Sequence, residues 1–423
     1  MFEEFFRVNY EERDEPAALF GELVAAISRV VNLVEYKDTN HSQRVAVMSL
    51  RLARAAGVDS ADDLTQVYSA GLLHDIGEVG IPDTLLYKKG RLSEKEYQLL
   101  STHTRIGQQI VEQVPLLKDA ASIILWHHER WDGRGYPEGL VAEETPLLAQ
   151  VVSLCDALDS IRRGGLFSSP SEWRKELESF AGIQFNPYLV PHAVAAVEQG
   201  HFGDLELTEE ERGLITAVDK EEEVYDQFKE NYIPMLVNFL TTLMEAKHKE
   251  SAAHSRRVGR LARKLGERMG LSALELDTLE IAGYLHDSGK MGIPNSILGK
   301  REPLDEWEVE IAKKHPEYSA SIISPLSGFG TVAEAVLHHH ENYDGTGYPD
   351  GLAGEEIPLL SRILMLADTA DALAHVLKVF PKTAGGEGKL IAVSDEQSGY
   401  FDPQFWSYAE AVGLRLPEQG GGN

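Results

Sequence analysis

Apolar residues return every three to four positions through much of this chain, the spacing that places them on one face of a helix. In "ALFGELVAAISRVVNLVEY", Leu19, Leu23, Ile27, Val30 and Val34 form such a stripe, and in "AAHSRRVGRLARKLGERMG" Val258, Leu261, Leu265 and Met269 form another. Runs alternating apolar and polar residues, the mark of a half-buried strand, are scarce. The pattern predicts an all-α protein. A stretch opening "DLELTEEERGLITAVDKEEEVYDQF" at Asp204 is acidic and helix-compatible, with Pro234 as a break or a first-turn residue.

The helical pattern occurs twice. "SAGLLHDIGEVGIPDTLL" at Ser69 returns as "IAGYLHDSGKMGIPNSIL" at Ile281, and "HHERWDGRGYPEGL" at His127 as "HHENYDGTGYPDGL" at His339, both offset by 212 residues. "VVSLCDALD" and "ILMLADTAD" keep that offset, "HSQRV" and "HSRRV" differ from it by one residue, and "GIQFNPYLV" resembles "GYFDPQFW". Repetition over most of the length means tandem duplication of one folding unit. The expected organisation is a first bundle over residues 1–203, an acidic helical linker over 204–233 and a second bundle over 234–423.

Composition narrows the partners. The chain has 423 residues with 43% apolar content, enough for two cores. A single cysteine, Cys155, excludes an internal disulfide and suits a reducing compartment. No basic leader precedes an apolar segment, and no apolar run reaches the roughly 18 residues of a membrane span, so a cytoplasmic location without membrane contact is expected. The net charge of −28 repels a nucleic acid polymer. An anionic substrate must be small and held by strong local positive charge.

Metal ions would supply that charge, and the chain carries residues suited to hold them. Of 15 histidines, five fall into register between the copies: His41, His74, His103, His127 and His128 against His254, His286, His315, His339 and His340. Asp75 and Asp156, matched by Asp287 and Asp368, bring each unit to seven nitrogen or oxygen donors, too many for one ion and suited to two. The spacings of 29, 24 and 28 residues from the second histidine onward are identical in both copies, whereas packing alone asks for apolar volume rather than imidazole. Imidazole with carboxylate and no thiolate selects iron, manganese, zinc, nickel or cobalt over calcium. Aspartate directly after histidine lets one carboxylate, Asp75 or Asp287, bridge two ions, and such a pair clamps a phosphoryl group and activates water. His192, His201, His248, His338 and His375 have no counterpart and read as ordinary residues.

"HDIG", "GIPD", "HHERWDGRGYP" and "DALD", with their second copies, resemble the HD-GYP family, a branch of the HD superfamily of metal-dependent phosphohydrolases, over about 35–200 and 245–408. The resemblance implies two tandem HD-type helical bundles, a bi- or trinuclear centre often holding iron, and hydrolysis of cyclic di-GMP or 3',3'-cyclic GMP-AMP to linear dinucleotide and mononucleotides. It implies a third ion in the second unit, with Glu250 four residues before His254, and two ions in the first, where Lys37 stands at that position between Glu35 and Asp38. It makes Lys290 a phosphate-facing cation, replaced in the first unit by Glu78. The loops Asp344, Gly345, Gly347, Tyr348, Pro349 and Asp132, Gly133, Gly135, Tyr136, Pro137 are expected to shape substrate entry, with Arg362 as a family-like substrate contact replaced by Gln150. The family's later arginine is out of register, leaving Arg162, Arg163 and Lys378 as stand-ins. Three functions compete: a cyclic dinucleotide phosphodiesterase with the second unit as the better catalyst; another HD-type phosphohydrolase or a diiron oxygenase; and a degenerate module that binds the messenger or recruits a cyclase-type partner.

Overall fold

The computed structural model describes residues 2–10, 16–34, 40–163, 170–203, 206–216, 228–376, 391–392, 399–409 and 414–415. They form helices, with one parallel pairing of Ile391–Ala392 and Leu414–Arg415. Two compact units result: Glu15–Met235, and Leu236–Asn423 together with Met1–Asp14.

The N-terminal helix α1 (Glu3–Tyr10) thus departs from the sequence expectation, which put residues 1–203 in one bundle. Its aromatic side is the reason. Phe2, Phe5 and Tyr10 are buried, with Phe5 edge-on to Phe329 at 5.1 Å and the Tyr10 hydroxyl donating to the Ser327 carbonyl. The Asp277 carboxylate accepts the Glu4 and Phe5 N–H groups at 3.1 and 3.2 Å, satisfying donors that the first turn of any helix leaves open.

In the first unit, α2 (Pro16–Val34), α3 (His41–Ala55), α4 (Ala61–Leu73), α5 (Asp83–Leu86), α6 (Glu94–Val111), α7 (Lys118–Trp126), α8 (Leu147–Arg163), α9 (Pro170–Ser179) and α10 (Leu189–Glu198) follow in order. Helix α3 packs on α4 and α8, and α4 on α7. Ser93 and Glu96 close a capping box at the start of α6. The acidic segment is partly bundle rather than connector. Its helix α11 (Glu209–Thr216) lies against α4, where Glu211 receives the Arg51 guanidinium at 2.8 and 3.1 Å.

The second unit repeats the plan. After α12 (Tyr232–Lys247) come α13 (Lys249–Met269), α14 (Ala273–Leu285), α15 (Asn295–Leu298), α16 (Glu306–Ala312), α17 (His315–Ile323), α18 (Gly330–Leu337), α19 (Leu359–Val376) and α20 (Trp406–Ala409). Helix α13 crosses α14 and α19 as α3 crosses α4 and α8. Capping boxes at Ser272 and Asp305 start α14 and α16. No helix among the described residues is long and apolar enough to cross a membrane.

Truncating Phe5 to alanine removes a buried ring and should destabilise the second unit by about 3–5 kcal/mol. Limited proteolysis is expected to show cleavage sites opening in residues 236–423 while those in 15–235 stay closed; unchanged protection of the second unit would refute the docking of α1.

Candidate metal centres

In the first unit His41 opens α3, His74 and Asp75 follow α4, His103 lies within α6, His127 and His128 follow α7, and Asp156 lies within α8. All seven converge. Donor atoms of His41, His74 and Asp156 lie within 4.8 Å of one another, as do those of Asp75, His103, His127 and His128. Asp75 divides its oxygens between the groups: Oδ2 stands 3.0 Å from His74 Nε2 and 3.7 Å from His41 Nε2, Oδ1 3.6 Å from His103 Nε2 and 3.9 Å from His127 Nε2. A carboxylate so placed can bridge two cations.

The second unit reproduces this division. Asp287 Oδ2 faces His286 and His254 at 3.5 and 3.8 Å, while Oδ1 faces His315 at 3.5 Å. Asp368 Oδ1 lies 2.9 Å from His254 Nε2 and 3.7 Å from His286 Nε2, and His315, His339 and His340 form a further group. The HD turn is held against the next ligand by a glycine. A Cβ on Gly289 would stand 2.1 Å from the His315 carbonyl oxygen, and one on Gly77 1.9 Å from that of His103, so no larger residue fits.

The histidines fit metal ions on their own hydrogen bonding. Nδ1 of His74, His103 and His127 donates to the carbonyl three residues earlier, at 2.9, 2.7 and 2.6 Å, and His286, His315 and His339 repeat this at 2.8, 2.8 and 2.5 Å. Their Nε2 atoms are buried without a hydrogen-bond partner, His74 Nε2 approaching Asp75 without the alignment of a bond. One such orphan costs about 1–3 kcal/mol, and six gathered in two clusters fit coordination of metal ions.

Electrostatics divide the histidines. Burial, then neighbouring imidazoles, push His127 and His339 well below the usual histidine range, and burial leads in lowering His128 and His315 to about 3 and His340 to about 4. Burial alone would raise Asp75 and Asp287, but the adjoining imidazoles, joined at Asp287 by the Lys290 ammonium, hold both carboxyls well below theirs. His41 and His254 go the other way: burial would lower them, but the carboxylates of Asp156 and Asp159, and of Asp368 and Asp371, raise both to about 10, and Asp75 raises His74, so a divalent ion binding there would displace a proton.

Two partners escaped the sequence reading. His41 Nδ1 meets Asp159 Oδ2 at 2.8 Å, and Arg44 grips the same carboxylate at 2.6 and 2.9 Å. His254, Asp371 and Arg257 repeat the arrangement at 2.7, 2.7 and 2.8 Å. Their signal was present: arginine three residues after the first histidine and aspartate three after the last ligand, in both copies.

The glycine-rich loops have internal order. Glu129 is buried and accepts the N–H groups of Glu138, Gly139 and Leu140; Glu341 accepts those of Asp350, Gly351 and Leu352. These glutamates therefore anchor the loop rather than orient a ligand. Gly133 and Gly345 have φ of +72° and +81°, and a Cβ on Gly135 or Gly347 would stand 2.4 or 2.2 Å from a backbone nitrogen of the preceding turn. Asp132 and Asp344 accept N–H groups two residues on, and Asp132 also pairs with Arg130 at 3.0 Å. Tyr136 and Tyr348, each joined to its proline (Pro137, Pro349) by a cis peptide, lie against His128 and His340 at ring distances of 4.8 and 5.0 Å. Arg362 donates to Asp402, and at the same register Gln150 accepts from Asn186 at 2.6 Å. Lys290 Nζ lies 2.6 Å from Asp287 Oδ2, at the cluster. The Glu250, Arg162 and Arg163 side chains and residues Glu35, Lys37, Asp38 and Lys378 lie outside the described residues, as does the His375 side chain.

Comparison with known proteins follows this geometry. The profile of the family described as HD domain matches residues 26–182 and 238–405. The 3'3'-cGAMP-specific phosphodiesterase 3 of Vibrio cholerae is 30% identical over 76% of this chain and 69% of its own length. The 3'3'-cGAMP-specific phosphodiesterase 1 of the same organism is 26% identical over 82% and 81%. A cyclic di-GMP phosphodiesterase of Thermotoga maritima is 34% identical over 40% of this chain and 49% of its own length. The crystal structure of a cyclic GMP-AMP specific phosphodiesterase from V. cholerae superposes with a TM-score of 0.58 at 22% identity, covering 92% of this chain and 96% of that one, which bears on the fold alone.

Replacing Asp371 with asparagine removes the charge that orients His254 and should weaken metal binding in the second unit about 10- to 100-fold. Metal titration of the full chain is expected to show the first unit's ions retained; equal loss from both units, or none, would refute the role.

Proposed function

Since the chain belongs to the HD domain family, and carries the HHExxDGxGYP segment of its HD-GYP branch twice, we propose that it is a metal-dependent phosphodiesterase that opens a cyclic dinucleotide, cyclic di-GMP or 3',3'-cyclic GMP-AMP, to linear dinucleotide and mononucleotides. The observation that carries this reading is the Asp287 carboxylate shared between two sets of imidazole nitrogens, with an ammonium 2.6 Å from it. His254, His286, Asp287 and Asp368 would hold one ion, Asp287 with His315, His339 and His340 a second, and Glu250 would complete a third; the first unit would hold two through its seven ligands. Iron is the favoured metal, with manganese, zinc, nickel and cobalt as alternatives of the same donor chemistry. Bound divalent ions supply Lewis acidity at phosphorus and lower the pKa of water toward neutrality.

The residues do the rest. Lys290 places its ammonium at the edge of the cluster, where it can exchange Asp287 for a non-bridging phosphate oxygen. Glu341 fixes the loop over the site through three backbone bonds, so Tyr348 keeps its place beside His340. In the first unit Glu78 sets a carboxylate where Lys290 stands in the second, opposing an anionic substrate. This difference favours the second unit as the catalyst and the first as a weaker or purely binding site.

Anaerobic purification with metal quantification, followed by chromatographic assay of both cyclic dinucleotides, tests the proposal. His286→Ala/Asp287→Ala is expected to abolish turnover and His74→Ala/Asp75→Ala to leave most of it, while Lys290→Ala lowers kcat/KM about 10- to 100-fold. Metal-replete protein that cleaves neither dinucleotide would defeat the reading.

A further inference from the structure

A cyclic dinucleotide carries two phosphodiesters, and Lys290 can serve only the one at the metals. The other needs a cation at the rim of the site. On a protein of net charge −28 such a cation must be local, because surface charge elsewhere repels the substrate. Lys313 meets that need. It stands two residues before His315, and its Nζ lies 5.7 Å from the centre of the Tyr348 ring, which itself stacks on His340 at 5.0 Å and 25°. One aromatic ring therefore separates this ammonium from a metal-ligating imidazole. Lys313 pairs with Glu310 at 2.9 Å, but the two side chains are 41% and 68% exposed, so the pair is weak and readily exchanged for a phosphate.

The first unit lacks the whole arrangement. At the register of Lys313 it has Ser101, whose hydroxyl donates to the Gln98 carbonyl, and at that of Glu310 it has Gln98. Its tyrosine, Tyr136, is met edge-on by the Tyr97 ring at 5.5 Å and 85°, not by a cation. Neither Lys290 nor Lys313 thus has a cation at its register in the first unit.

We infer that Lys313 is a specificity-determining contact for the second phosphate of a two-phosphate substrate, an inference that rests on the phosphodiesterase reading above. Its chemistry is that of an ammonium steadied over an aromatic face and free to take up a phosphate oxygen.

The test compares the full-length, metal-loaded protein on a cyclic dinucleotide and on bis(p-nitrophenyl) phosphate, which has a single diester. Lys313→Gln is expected to lower the ratio of kcat/KM for the cyclic substrate to that for the single diester about ten-fold at low ionic strength, mainly through KM, with the difference shrinking as salt is raised. Lys313→Arg should restore the ratio, since a guanidinium keeps the charge. An unchanged ratio overturns the assignment. An equal fall on both substrates also overturns it, because Lys313 would then support the fold or the metals rather than the second phosphate. Wild-type protein that cleaves the single diester but neither cyclic dinucleotide refutes the substrate class proposed above, and this inference with it, an outcome distinct from an unchanged ratio in an active enzyme.

Discussion

One carboxylate per unit, shared between two sets of imidazoles, governs the site. Asp75 and Asp287 sit among imidazoles whose Nε2 atoms have no hydrogen-bond partner, a combination that an ordinary core would not tolerate. The ring orientations are not free to relieve it. His74, His127, His286, His315 and His339 stand at or just past the end of a helix, and each gives Nδ1–H to a carbonyl three residues earlier. Those carbonyls belong to the terminal turns, where acceptors are left without intrahelical donors. The ligands therefore close helix ends with one nitrogen and offer the other to the cluster, so helix termination and metal binding are the same local event. A metal ion bound there would resolve the remaining conflict by taking the orphaned lone pairs and the negative charge together.

This coupling explains why the copies diverge in charge but not in scaffold. The ligands, the His–Asp–Arg pairs behind His41 and His254, and the glutamates anchoring the loops recur with nearly the same distances. Most of the histidines are tied to a helix end and the two glutamates to backbone N–H groups, so a substitution there would break the fold locally as well as the site. Positions at the edge of the cluster that tie down no helix end carry no such penalty. There Lys290 answers to Glu78, and Lys313 to Ser101. Arg362 with Asp402 and Gln150 with Asn186 show an intermediate case: the pair changed together from charged to neutral, keeping one hydrogen bond across the same two segments.

Much of this was legible in the chain because it rests on period and register. Helical stripes marked both bundles, and the 212-residue offset isolated the ligands that converge. What stayed hidden depends on contacts between distant segments. An amphipathic helix at the N-terminus carries no mark of which core takes it, and α1 joined the second unit through Asp277 and Phe329, more than 260 residues away. Arg362 was singled out by its resemblance to a family arginine; that Asp402 pairs with it is visible only in the fold. Asp159 and Asp371 were visible as repeated residues, but their purpose needed the histidine Nδ1 atoms in place.

An acidic surface is compatible with the phosphodiester substrate proposed above because the clusters are largely shielded from it. Exposed charges are screened within about 8–10 Å at physiological salt, so most of the 68 acidic side chains act weakly at the clusters. Charges inside the clusters are screened far less, because helices rather than water surround them. A few ions, one ammonium at the metals and another at the rim can therefore set the potential that a phosphate meets, whatever the net charge of the chain. Within that arrangement selectivity turns on the sign of single residues at the edge of the cluster, and those are the positions at which the two copies differ.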